Sequence, residues 1–132
     1  MYSSETLSYT AGFLDGEGYI GLAKEIYKPT GRHNLNPRVV IGNTNKGVID
    51  WLHKTYPGGF VVYCKPVGNR QKSWKWNLCS WNLIDEFLTV VYPYLKVKNN
   101  QARTLIIMHR KNRHNDLRYY RKIRTLNKRG KR

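Results

Sequence analysis

Asp15-Gly16-Glu17-Gly18 puts two carboxylates two residues apart, each beside glycine, at the end of the run Tyr9-Thr10-Ala11-Gly12-Phe13-Leu14. Carboxylate oxygens are hard donors suited to Mg²⁺ or Mn²⁺, so an acid fixed at a helix end is a candidate metal ligand. Ala11 and Gly12 carry too little side chain to hold a core alone, but they let a second helix backbone approach closely. The stretch occurs once. A single chain therefore offers half of a paired arrangement.

The elements that must position these residues follow from hydrophobic period. A first helix is expected over 4–15: Ser4 caps it, Glu5 suits its positive end, and Leu7, Ala11 and Leu14 recur at helical spacing. Gly16 and Gly18 should break it. Residues 19–28 alternate as a strand, with Ile20, Leu22 and Ile26 on one side and Tyr19, Gly21, Ala23, Glu25 and Tyr27 on the other. After the turn signal Pro29-Thr30-Gly31, a second strand over 34–42 buries Leu35, Val39 and Ile41 and turns Asn34, Asn36, Arg38 and Val40 the other way. A helix over 45–56 uses Val48, Leu52 and Tyr56, flanked by Ile49 and Trp51, and stops at Pro57-Gly58-Gly59.

A second hairpin joins 60–66 to 73–79 around the basic loop 67–72. Trp74, Trp76 and Leu78 share one face of its second strand; in its first, Phe60, Val62 and Cys64 are expected inward, and Tyr63 and Lys65 outward. A helix over 82–92 ends at Pro93, another spans 100–110, and a very basic one covers 117–127 with Leu117, Tyr120 and Ile123 at i, i+3, i+6. The class is mixed α/β (α+β): an α-β-β-α-β-β-α core over 1–110, and a basic helical extension of the same domain over 111–132. Each hairpin has one dry face and one polar face, as antiparallel sheets often do.

The chain of 132 residues suits one domain with its own core, and seventeen aromatics argue against disorder. A formal charge of +16 points to a polyanionic partner, nucleic acid first, because Lys and Arg on phosphates supply most sequence-independent affinity. Twelve of the 24 Lys and Arg, and one of the eight acids, lie at or beyond residue 103. The N-terminus lacks a basic region followed by an apolar run, and no segment approaches the ~18 apolar residues of a membrane span. An intracellular location with access to DNA is expected, in an organelle, prokaryote or phage host. Cys64 and Cys79 either face each other across the second hairpin or stay as buried free thiols, the state expected inside a cell. His33, His53, His109 and His114 show no zinc spacing with them.

The stretch Thr10-Ala11-Gly12-Phe13-Leu14-Asp15-Gly16-Glu17-Gly18 resembles the motif of the LAGLIDADG homing endonucleases, and the element order is similar to their fold. Tyr92-Pro93-Tyr94-Leu95-Lys96-Val97-Lys98-Asn99-Asn100-Gln101-Ala102 resembles the segment of single-motif members that carries a basic active-site residue, at the Lys98 position. Ile41-Gly42-Asn43-Thr44-Asn45-Lys46 is similar to the junction holding a polar active-site side chain. The resemblance implies a homodimer with motif helices packed at the two-fold axis through Ala11, Gly12 and Leu14. It implies a saddle-shaped antiparallel sheet along the DNA major groove, and a metal-dependent staggered double-strand cut in a long, nearly palindromic site. Glu17 matches the catalytic metal-binding acid, with the Gly16 carbonyl as a second ligand and Mg²⁺ or Mn²⁺ as cofactor; Asp15 is structural. Lys98 would offset charge in the transition state, and Asn43 would orient solvent.

Outward strand positions are the candidates for reading DNA: Glu25, Tyr27, Asn36, Arg38, Lys75 and Asn77, with Tyr63 and Lys65. Arg38 suits guanine and Asn36 or Asn77 adenine. Arg32, Arg70 and Lys72 lie in hairpin loops and suit phosphates. The competing reading is a protein of the same fold that binds without cutting, either an RNA-splicing maturase or a DNA-binding factor.

Overall fold

The computed structural model describes residues 1–129; residues 130–132 of the expected basic extension lie outside them. The order is α1 (Ser4–Glu17), β1 (Gly18–Tyr27), β2 (Arg32–Asn43), α2 (Lys46–Thr55), β3 (Phe60–Cys64), β4 (Ser73–Leu78), α3 (Trp81–Val91), a 3₁₀ turn (Tyr92–Tyr94), α4 (Asn99–Arg110) and α5 (Leu117–Arg129). The strands form one antiparallel sheet in the order β1-β2-β4-β3.

The first helix differs from expectation at both ends. Ser3, not Ser4, caps it, its hydroxyl accepting from the Thr6 N–H. Gly16 does not break it. The helix runs on to Glu17, and the Gly18 N–H then donates to the Leu14 carbonyl. A Cβ on Gly18 would sit 2.8 Å from that carbonyl oxygen, so the close turn from α1 into β1 requires glycine.

Register assigns the two faces of the sheet. Val39, Ile41, Trp76 and Leu78 are directly paired or adjacent, and with Ile20, Leu22 and Leu35 they form the inner face covered by helices. Tyr56, just past α2, joins Trp76 and Phe87 in a cluster of tilted and edge-to-face rings, and its hydroxyl meets the Thr10 hydroxyl of α1 at 2.6 Å. On α2 the buried stripe is turned by one residue: Ile49 and Leu52 are buried, and Val48 only flanks them.

One strand expectation is overturned, that for β3. Ile26 keeps the side it shares with Ile20 and Leu22 but is exposed, because the first hairpin extends past the helices that cover the sheet's centre. In β3, Val61 pairs with Trp76 and Tyr63 with Trp74, so these face inward; Phe60 and Val62 pair with Asn77 and Lys75 and face outward. The strand Phe-Val-Val-Tyr-Cys has no polar alternation of its own, and pairing with the tryptophans of β4 sets its phase. Cys64 and Cys79 are free thiols but only half-buried, not the buried thiols expected.

The basic helix α5 lies along the free edge of β1. Ile123 is fully buried in the core, and Asn127 donates to the Ile20 carbonyl while accepting from Gln101 of α4. Deleting Ile123 contacts should therefore cost what a core truncation costs. Ile123→Ala is expected to lower the unfolding free energy in urea by about 2–5 kcal/mol; a change under about 0.5 kcal/mol would mean that α5 is not part of the cooperative unit.

Candidate active site and nucleic-acid interface

Glu17, Asn43, Asp15 and Lys98 converge where α1 ends. Glu17 is exposed on the last turn, and its Oε2 accepts from Asn43 Nδ2 at 2.7 Å. Asn43 ends β2, and its Oδ1 accepts from the Asn45 N–H at 2.7 Å. Asn45 in turn caps α2 by accepting from the Val48 N–H. The amide of Asn43 is thus held at both ends, and one Glu17 carboxylate oxygen is oriented by it.

Asp15 points away from Glu17. Its carboxylate accepts from three successive backbone N–H groups, those of Lys96 (2.7 Å), Val97 (3.2 Å) and Lys98 (2.9 Å). Lys98 returns the contact: its Nζ donates to the Asp15 carbonyl oxygen at 2.7 Å. That oxygen belongs to the last turn of α1, where carbonyls lack helical partners and carry partial negative charge. The half-buried ammonium of Lys98 is therefore anchored at the helix end that carries Glu17.

The donor set at this end consists of hard oxygens: the exposed Glu17 carboxylate and the last-turn carbonyls, Gly16 among them. These fit Mg²⁺ or Mn²⁺. Among the described residues no three His, Cys, Asp or Glu side chains come together. One chain supplies a single carboxylate to such a site.

Of the expected helix-packing residues, only Gly12 faces out. Ala11 and Leu14 are 0% exposed and belong to the protomer's own core, which corrects their assignment to an interface. The exposed stripe is Ser8, Gly12 and Gly16, four residues apart, and a Cβ on either glycine would meet nothing within 4 Å. That i, i+4 spacing was present in the sequence beside the buried Leu7-Ala11-Leu14 one.

The outer face of the sheet carries most of the expected DNA-reading residues. Paired rows place Glu25 by Asn34, Tyr27 by Arg32, Asn36 by Ala23 and Arg38 by Gly21. Asn36 Nδ2 donates to Glu25 Oε1 at 2.9 Å, and Arg38 Nη1 lies 3.4 Å from Cys79 Sγ. Lys75 is outward and exposed. Asn77 is outward but only 8% exposed, and its amide is occupied by the Lys75 carbonyl, so it is less available than expected. Tyr63 turns to the helix side beside Trp74, correcting its assignment to the outer face, and Lys65 lies beyond the end of β3. Arg70 and Lys72 are exposed in the loop before β4, with the Lys72 ammonium 5.9 Å from the centre of the Trp74 ring.

Two features had no sequence signal. Asn115, in the connection between α4 and α5, accepts from the Leu35 N–H, closing the edge of β2 where β4 has ended, and its carbonyl meets His33 Nε2. Tyr19 lies over the backbone of Gly21, beside Tyr120, Arg121 and Arg124 of α5. Burial, then the neighbouring Tyr120, raises the Tyr19 phenol above its ordinary value against the opposing pull of Arg38 and Arg124.

No protein-family model and no curated protein matches the chain. Its fold is that of the LAGLIDADG homing endonucleases. The homing endonuclease I-CvuI in complex with its target aligns with a TM-score of 0.74 at 15% identity, over 92% of this chain and 82% of that one. The archaeal intron-encoded homing endonuclease I-Vdi141I, complexed with DNA, aligns with a TM-score of 0.71 at 16% identity, over 96% and 82%. The meganuclease I-SmaMI, bound to uncleavable DNA, aligns with a TM-score of 0.67 at 14% identity, over 91% of this chain but 42% of that one.

Because three amides depend on one carboxylate, Asp15→Ala is expected to lower stability by about 2 kcal/mol, the charge-assisted bonds being partly exposed. Asp15→Asn, which keeps one acceptor oxygen, should lose less. Urea unfolding of the two variants checks the order; an Asp15→Ala variant as stable as wild type would refute the clamp.

Proposed function

We propose that this chain is a site-specific, divalent-metal-dependent DNA endonuclease that works as a homodimer and makes a staggered double-strand cut in a long, nearly palindromic site. The observation that carries this reading is the convergence of Glu17, Asn43 and Lys98 at the end of α1, in a fold shared with homing endonucleases. The overall charge of +16 and the polar outer face of the sheet agree with a duplex as partner.

Phosphodiester hydrolysis forms a bond from a water oxygen to phosphorus and breaks the bond to a sugar oxygen. Negative charge grows on the phosphate and on the leaving oxygen. Glu17 and the Gly16 carbonyl would hold Mg²⁺ or Mn²⁺, which would supply activation of water and neutralisation of that charge. Asn43 holds the Glu17 carboxylate in one orientation and leaves its second oxygen for the ion. Lys98 brings a positive charge to the same end of the helix and offsets charge that develops in the transition state.

One carboxylate per chain makes a second copy necessary. The stripe Ser8, Gly12 and Gly16 provides the close approach: two α1 helices crossing there bring both Glu17 residues to one axis. The match of nearly the whole chain to under half of I-SmaMI supports the pairing of two such units.

Glu17→Gln separates chemistry from binding. It removes the charge that holds the ion but keeps the shape and an acceptor for Asn43, so cleavage is expected to fall by about a hundredfold to a thousandfold while duplex binding persists, a loss of the size seen when a single transition-state-stabilising group is removed. Gel assays of cutting and of binding on the same duplex read both. Mg²⁺-dependent cutting by this variant at the wild-type rate would refute the assignment; wild-type binding without cutting would favour the non-cleaving DNA-binding reading.

A further inference from the structure

The outer face of the sheet is not uniformly polar. Phe60 and Val62, on the edge strand β3, point outward with 47% and 41% of their surface exposed. They alternate with the inward Val61 and Tyr63 and stand beside Asn77 and Lys75 of β4. One N–H of the Asn77 amide is bonded to the Lys75 carbonyl, and the residue is only 8% exposed, so Phe60 and Val62 present more open surface than the polar group beside them. Exposed apolar side chains on a sheet cost solvation and mark contact surfaces. Here they lie in the same rows as Lys75, with Arg70 and Lys72 in the loop that leads into β4, so the occupant has apolar points set in an anionic frame.

We infer that Phe60 and Val62 are specificity-determining residues that contact thymine C5-methyl groups in the DNA major groove. The methyl is the one apolar group that base edges present there, and phenylalanine and aliphatic side chains are suited to it. The inference rests on the DNA-binding reading above and divides the sheet's work. The β1–β2 arm, with Glu25, Asn36 and Arg38, recognises hydrogen-bonding edges; the β3–β4 arm recognises methyls.

The test selects bound sites from a randomised duplex library with the wild-type chain and with Phe60→Ala and Val62→Ala, then replaces thymine by deoxyuridine at the positions found. Wild-type selection should enrich thymine at positions where each variant loses the preference. Removing one methyl should weaken wild-type binding about fourfold, the worth of one buried CH₂, and leave the corresponding variant unchanged. The base substitution does not touch the protein's folding. Recovery of sites with no thymine preference, or equal affinity for thymine and deoxyuridine, overturns the inference but leaves the DNA-binding reading intact. Recovery of no site overturns both. A fall in the oligomer size of free protein on Phe60→Ala, with base preference unchanged, would assign the patch to contact between chains instead and also overturn it.

Discussion

The Asp15 clamp holds two helix ends to each other. A carboxylate from the last turn of α1 accepts the N–H groups that lead into α4, and an ammonium from the start of α4 donates to a carbonyl at the end of α1. Each end thereby receives the charge its dipole favours: anion at the amino end of α4, cation at the carboxyl end of α1. Charged partners make these bonds stronger than neutral ones. Without the clamp, Glu17 and Lys98 would be carried by elements 81 residues apart with no common reference point. With it, the acid and the ammonium are both referred to the same helix end.

The rest of the core keeps that reference point still. Thr10 and Tyr56 join α1 to the end of α2, and Tyr56 is wedged among Trp76 and Phe87. Asn43, at the end of β2, carries the sheet's position to the Glu17 carboxylate. One helix therefore has three duties on three faces. Leu7, Ala11 and Leu14 pack inward, Ser8, Gly12 and Gly16 stay open, and the terminal residues carry the polar chemistry. Two acids separated by one residue on a helix point in different directions, which is why Asp15 can serve structure while Glu17 stays exposed.

Much of this was legible in the sequence, because hydrophobic alternation is strong where one face is buried and the other solvated. Leu35, Val39 and Ile41 gave the phase of β2, and Trp76 and Leu78 that of β4. Failures fall where the local pattern is weak. The β3 strand is nearly all apolar, so pairing with Trp74 and Trp76 decided which side chains turned in. The small side chain of Ala11 would permit close approach of a second helix, but its competing use, packing in the protomer's own core, prevails. Gly16 was expected to stop α1, yet one glycine costs only about 1 kcal/mol in a helix, less than the contacts holding it. The Asn115 bond to Leu35 spans 80 residues and follows no periodicity, so nothing local announced it.

The central claim is that this chain holds half of an active site and that a second identical chain completes it on DNA. Light scattering of the protein on a selected duplex, with Ca²⁺ present to hold the complex uncut, measures this directly. The account predicts a mass of two chains of 15.6 kDa plus one duplex. A mass of one chain plus one duplex, with cutting intact when Mg²⁺ is supplied, would contradict it.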